Sequence, residues 1–371
     1  MNRLLKMLGF MMIAIAGVCS PGLPTATAAP AENGSRAVPL VGTLQDDEAW
    51  RFYKTSFVTE TGRVVDTANG QISHSESQGY GMLLAVAAGD RASFDRIWGW
   101  TRANLAVRND ALLAWRWEPD RRPAVADLNN ASDGDILIAW ALTEAAEAWS
   151  DEAYQVAARR ISVEIGRKLV LWNAPGGPLL LPAAAGFAAE DRADGPIVNL
   201  SYYIFPAFMR LGAVAPEFDW LALSRNGLRL VEASRFGRDR LPVEWISLGA
   251  DSVRSADGFA AEFAYNAIRI PLYLAWSGTD RSGIYDPFVS VWNRQGTLNL
   301  ATVDVSTAMP RDRLGEAGYL AVPALTACAA SGARWPRQLN SSAPGENYYP
   351  NTLRLLSRIA VRMRYPSCLR D

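Results

Sequence analysis

Five helix-length stretches of this chain carry almost no charge. Residues 79–88 and 136–142 are apolar on every side, and 202–214, 265–276 and 317–330 hold few charges. A helix that is apolar all round has no face to offer water and must be enclosed by other structure. Charged, amphipathic segments lie between these stretches, at 94–106, 151–170, 218–236 and 285–297, and each can keep one wet face. Taking Gly79, Gly134, Tyr202, Tyr265 and Tyr319 as starting points, the intervals are 55, 68, 63 and 54 residues. Each interval has room for one inner helix, one outer helix and two loops. The stretches share no wording, so this is not a sequence repeat. Further pairs near 46–57 and 347–364 complete the set. The expectation is an all-α (α/α)6 barrel of six inner and six outer helices. No linker divides it, so 29–371 reads as a single domain.

The first 28 residues read as a signal peptide. Arg3 and Lys6 precede an apolar run, 7–19, that is too short to span a bilayer, and Ala26-Thr27-Ala28 has the small-x-small form of a cleavage site. No later segment is a membrane span, so no stable membrane insertion is expected after cleavage, and the location reads as periplasmic or secreted. Cys328 and Cys368 then remain, either bridged or as two buried thiols.

Lys+Arg total 37 and Asp+Glu 38. Nucleic-acid proteins usually carry a basic excess, so no nucleic-acid partner is expected. With one histidine, His74, and three cysteines, multi-His metal sites and haem-type clusters are excluded. Phosphate-binding loops and dinucleotide fingerprints are absent from the sequence. Neither a metal nor a cofactor is expected.

Each buried stretch opens on polar residues. Ser73–Gln78 precede the first and Asn129–Asp135 the second; Asn199–Tyr203 open the third, and Glu262–Asn266 the fourth, with Arg269 a turn later. Parallel inner helices would bring these ends to one opening. Ser, Asp and Asn also cap helices, and first-turn acids complement the helix dipole, which accounts for Ser132, Asp133 and Asp135 as well. Glu76 is harder to explain as a cap, because Gly79 and Gly81 behind it allow a close backbone approach. Two acids across a groove lined by Trp and Tyr suit glycoside hydrolysis, in which one carboxyl protonates the leaving oxygen. Trp115 and Trp117 are candidate sugar platforms.

Ser75-Glu76-Ser77-Gln78-Gly79-Tyr80-Gly81-Met82 resembles the Ser-Glu-Gly-Gln-Gly-Tyr-Gly-Met signature of glycoside hydrolase family 8. Ala131-Ser132-Asp133-Gly134-Asp135, continuing through Ile138-Ala139 and Ala141-Leu142, resembles that family's second signature. Ser201-Tyr202 and Tyr265-Asn266-Ala267-Ile268-Arg269 match two later blocks. The resemblance implies an (α/α)6 barrel and an inverting endo-β-1,4-glucanase acting on β-glucan polysaccharide. It implies that Glu76 is the proton donor, that Asp133 grips the sugar at the point of cleavage, and that Tyr202 and Arg269 border the water. Tyr80, Asp135, Tyr265 and Asn266 join the expected substrate contacts. His74 stands where the family requires nothing and reads as a solvated loop residue. Asn266 departs from the pattern, because many members carry Asp there as general base. An amide cannot take a proton from water, so the base falls to Asp133, which ranks first, or to Glu262, Asp257 or Asp251; otherwise the protein mainly binds glucan. Lichenan, xylan and chitosan are the alternative substrates, and a functional link to a cellulose synthase is a further expectation.

Overall fold

The computed structural model describes residues 39–370 apart from 46, 250, 251 and 343. The expected signal peptide and Asp251 lie outside these residues. Among the described residues there are eleven α-helices: α1 (Glu48–Phe57), α2 (Ser75–Ala87), α3 (Arg91–Leu105), α4 (Ser132–Trp149), α5 (Glu152–Glu164), α6 (Phe205–Val214), α7 (Trp220–Ala233), α8 (Arg269–Ser277), α9 (Asp286–Gln295), α10 (Ala321–Ser331) and α11 (Tyr348–Arg364). Helices α2, α4, α6, α8, α10 and α11 form the inner ring. α2 packs on α4, α4 on α6, α6 on α8, α8 on both α10 and α11, and α11 closes the ring against α2. The chain between α10 and α11 carries only a 3-10 turn, Arg337–Asn340, where the pattern leads one to look for another outer helix. Among the described residues no helix is long and apolar enough to cross a membrane.

The helices form where the residue pattern requires them. α2 and α8 are buried along almost their whole length, as their uncharged sequences demand. α1 buries only Ala49, Trp50, Tyr53 and Phe57, one stripe of an otherwise polar helix. Asp90, Asp151 and Asp219 accept backbone N–H groups at the starts of α3, α5 and α7. Gly278 and Gly332 stop α8 and α10 in the left-handed region, at φ 73° and 71°. Truncating a fully enclosed side chain such as Leu83 or Leu137 to Ala should cost about 2–5 kcal/mol.

The approach of α2 to α4 is the packing feature that matters most for the opening. A Cβ on Gly79 would lie 2.6 Å from Leu137 Cβ, and one on Gly134 would lie 2.0 Å from Ser75 Oγ. These glycines therefore let two helix starts touch. Small strands tie down the loops around the opening. Ser73–His74 pairs antiparallel with Arg116–Trp117, and Ile197–Asn199 with Trp245–Ser247. Cys328 and Cys368 are disulfide-bonded, which joins α10 to the C-terminal turn.

Candidate active site

The starts of all six inner helices, or the turns just before them, line one cleft of about 670 Å³. Glu76 comes from α2, Asp133 from α4 and Arg269 from α8. Tyr202 stands in the 3-10 turn before α6, and Tyr319 in the one before α10. Tyr348 and Tyr349 open α11. Tyr265 and Asn266 lie in the turn ahead of α8, which begins at Arg269 rather than at Tyr265 as the apolar run suggests.

Arg269 organises the centre and is almost wholly buried. Its Nη1 donates to Glu76 Oε1, to Asp133 Oδ2 at 3.0 Å and to the Tyr80 hydroxyl at 3.3 Å. Its Nη2 donates to Asn266 Oδ1 at 2.6 Å and to Ser201 Oγ at 3.1 Å. The Tyr80 hydroxyl donates to Glu76 Oε1 at 3.1 Å and lies 2.6 Å from the Tyr273 hydroxyl. Burial pushes the Asp133 carboxyl up to about 7, against the Gly134 N–H that it accepts. That shift favours the neutral form of Asp133 toward neutral pH. Burial first, then Asp133 and Glu244, hold the Tyr202 hydroxyl well above its usual range.

One geometric result bears on the base. Glu76 and Asp133 each offer an oxygen to the same nitrogen. Oxygens that share one nitrogen stand closer together than the roughly 6.5–9.5 Å spacing that leaves room for an attacking water. This geometry favours Asp133 as a grip on the sugar over Asp133 as the general base. Of the alternatives, Asp257 is exposed beside Arg254, and Glu262 lies in a short strand outside the cleft lining.

Three expected substrate contacts lie outside the cleft lining. Asp135 is fully buried, accepts Leu113 N–H at 2.8 Å and Asn130 Nδ2–H at 2.7 Å, and so pins the loop before α4. Burial pushes its carboxyl up to about 8. Tyr80 is enclosed beneath Glu76 and acts on that side chain instead of lining the cleft. Trp117 packs edge-on against Trp100 at 5.5 Å under the Arg63 guanidinium, also outside the cleft lining. Trp115 does line the cleft, with its indole N–H on Asp127 at 2.8 Å. His74 is not a solvated loop residue. Its Nδ1 accepts the Ser77 N–H and caps α2, while Asp66 and Glu76 oxygens lie 3.6 Å from its ring nitrogens.

The sequence reading also missed several residues. Phe187, Trp245 and Phe259 form a parallel stack, with centroids 5.5 and 4.6 Å apart, and Tyr202 meets Trp245 edge-on at 6.1 Å. Tyr265, Tyr319 and Tyr349 form a second aromatic group, with centroids 6.3 and 6.2 Å apart. Glu244 accepts both the Asn266 backbone N–H, at 2.7 Å, and its Nδ2–H, at 2.9 Å. Burial raises its carboxyl above the usual range. A signal was present, since Glu244 is a lone acid in the apolar run 241–246.

The profile of glycosyl hydrolases family 8 matches residues 33–362. The chain is 38% identical to a probable endoglucanase of Novacetimonas hansenii over 320 residues, covering 84% of this chain and 90% of that protein. Its fold is similar to an endoglucanase from Klebsiella pneumoniae, with TM-score 0.78 and 35% identity over 85% of this chain and 99% of that one. It is similar as well to an endo-β-1,4-glucanase from Acetobacter xylinum, with TM-score 0.77 and 35% identity over 87% and 99%.

Proposed function

The chain belongs to glycosyl hydrolases family 8 and is a glycoside hydrolase, and from that membership we propose an endo-β-1,4-glucanase that cuts internal bonds of cellulose-type β-glucan with inversion. The observation that carries the reading is the sharing of Arg269 by Glu76 and Asp133 inside an aromatic-walled cleft. Glu76 protonates the leaving oxygen. The Tyr80 hydroxyl holds the glutamate in place. Asp133 then accepts hydroxyl donors of the sugar at the cleavage point. Faces of Trp115 and Tyr265 offer apolar surface to sugar rings. The sharing of one nitrogen by Glu76 and Asp133 supports a separate carboxylate for the attacking water.

The name of the Acetobacter xylinum endo-β-1,4-glucanase supports a β-1,4-glucan substrate. With the expected signal peptide, the reading puts the enzyme in the periplasm or outside the cell, with a functional link to a cellulose synthase. Reducing ends released from carboxymethylcellulose test the activity. Release well above that of Glu76→Gln is expected. Equal release by the two would favour a glucan-binding protein, the reading that Asn266 motivates.

A further inference from the structure

We infer that Glu244 is a positioning residue of this cleft: it turns the Asn266 amide so that its carbonyl faces Arg269, and through that amide it steadies the guanidinium that holds Glu76 and Asp133. The inference rests on the hydrolase reading above.

An amide has one accepting end and one donating end of nearly the same shape, so its partners alone decide which way it points. A guanidinium only donates, and an ionised carboxylate only accepts. Asn266 lies between one of each. Its Oδ1 accepts Arg269 Nη2–H at 2.6 Å, and its Nδ2 donates to Glu244 Oε2 at 2.9 Å. Glu244 Oε1 takes the backbone N–H of the same residue at 2.7 Å, and the Ala267 backbone N–H also bonds to this carboxylate, so all its donors come from residues 266 and 267. The carboxylate lies outside the cleft lining, whereas Asn266 lies within it. Glu244 therefore acts through Asn266 and not on the sugar. An aspartate at 266 would accept Arg269 without any such director. The amide needs one, because its flipped form would set an NH2 group against the guanidinium. In effect the negative charge sits one side chain farther back than residue 266. The ionisable groups around Glu244 are Glu262, whose backbone oxygen accepts its N–H, and the hydroxyls of Tyr202 and Tyr349.

The test is a reciprocal exchange. In Glu244→Gln, the new NH2 group faces the donors of Asn266. Turnover of carboxymethylcellulose is expected to fall about 100-fold in kcat, with KM within about threefold of wild type. In Glu244→Gln/Asn266→Asp, the carboxylate now at position 266 accepts from Arg269 on one side and from the amide now at position 244 on the other. Because an aspartate at 266 can itself act as a general base, the exchange is read on melting temperature and not on kcat. A double-mutant cycle on melting temperature reads the same coupling without catalysis. The exchanged pair should melt above both Glu244→Gln and Asn266→Asp. A kcat for Glu244→Gln within threefold of wild type would overturn the inference, as would an exchanged pair that melts no higher than either single variant. Restoration of Glu244→Gln by azide would also overturn it, since that would put Glu244 on the attacking water itself. An inactive wild type would defeat the hydrolase reading instead, and the melting cycle would still decide the role of Glu244.

Discussion

Replacing Asp135 by Asn separates a core role from a sugar-binding one. In the folded protein burial carries the Asp135 carboxyl to about 8, from an ordinary 3.8. The unfolded chain releases that proton from about pH 4 upward, while the folded chain keeps it. The folded state thus binds more protons across this window, so the stability present below about pH 4 drains away as pH rises toward 8. At about 1.4 kcal/mol for each pH unit, the whole window is worth on the order of 5 kcal/mol. The amide does not titrate and removes this drain. It brings a different cost, because Leu113 N–H and Asn130 Nδ2–H both need an acceptor and the new NH2 group faces one of them. Asn130 cannot simply turn over, since its Oδ1 holds Ala184 N–H at 2.8 Å. An unpaired buried donor costs about 1–3 kcal/mol, so the variant should be less stable than wild type at pH 5. By pH 8 the gap should close or reverse. Urea unfolding of both proteins from pH 5 to 8 gives the difference curve, which isolates residue 135 from the other buried acids. KM for carboxymethylcellulose should stay within about twofold of wild type. A difference curve flat in pH would refute the burial argument, and a large rise in KM would return Asp135 to the sugar.

Tyr80→Phe removes the hydroxyl between Glu76 and Tyr273 and should lower kcat about tenfold with KM unchanged, as read by initial rates. Trp115→Ala takes an indole from the cleft lining, and KM for soluble cello-oligosaccharides should rise about three- to tenfold. Replacing Cys328 and Cys368 by Ser opens a link across a sequence separation of 40 residues. That should cost about 4 kcal/mol and lower the melting temperature by about 6 °C in calorimetry.

The barrel was legible because uncharged helices leave no alternative to enclosure. α2, α4 and α8 fall where the apolar runs lie, and their polar starts do converge on one cleft. Helix starts were less legible. Tyr202 and Tyr265 belong to turns, because the chain must bend into the cleft before the inner helix can begin. Asp135 and Trp117 misled because residue type is the same for a buried cap-region acid or a packed indole as for a sugar contact; only orientation separates them. His74 misled in the opposite direction, since a capping histidine has no spacing signature apart from the Ser three residues on. Glu244 reaches Asn266 across 22 residues where its backbone N–H meets the Glu262 carbonyl, and local pattern does not encode such a contact.

The central claim, that Glu76 gives its proton to the leaving oxygen in this cleft, is tested most directly by the leaving-group dependence of Glu76→Gln. Against carboxymethylcellulose, whose leaving group needs protonation, the variant should lose about a thousandfold or more in kcat. Against a dinitrophenyl β-cellobioside, whose leaving group departs without a proton, it should retain activity near that of wild type. An equal loss on both substrates would contradict the assignment.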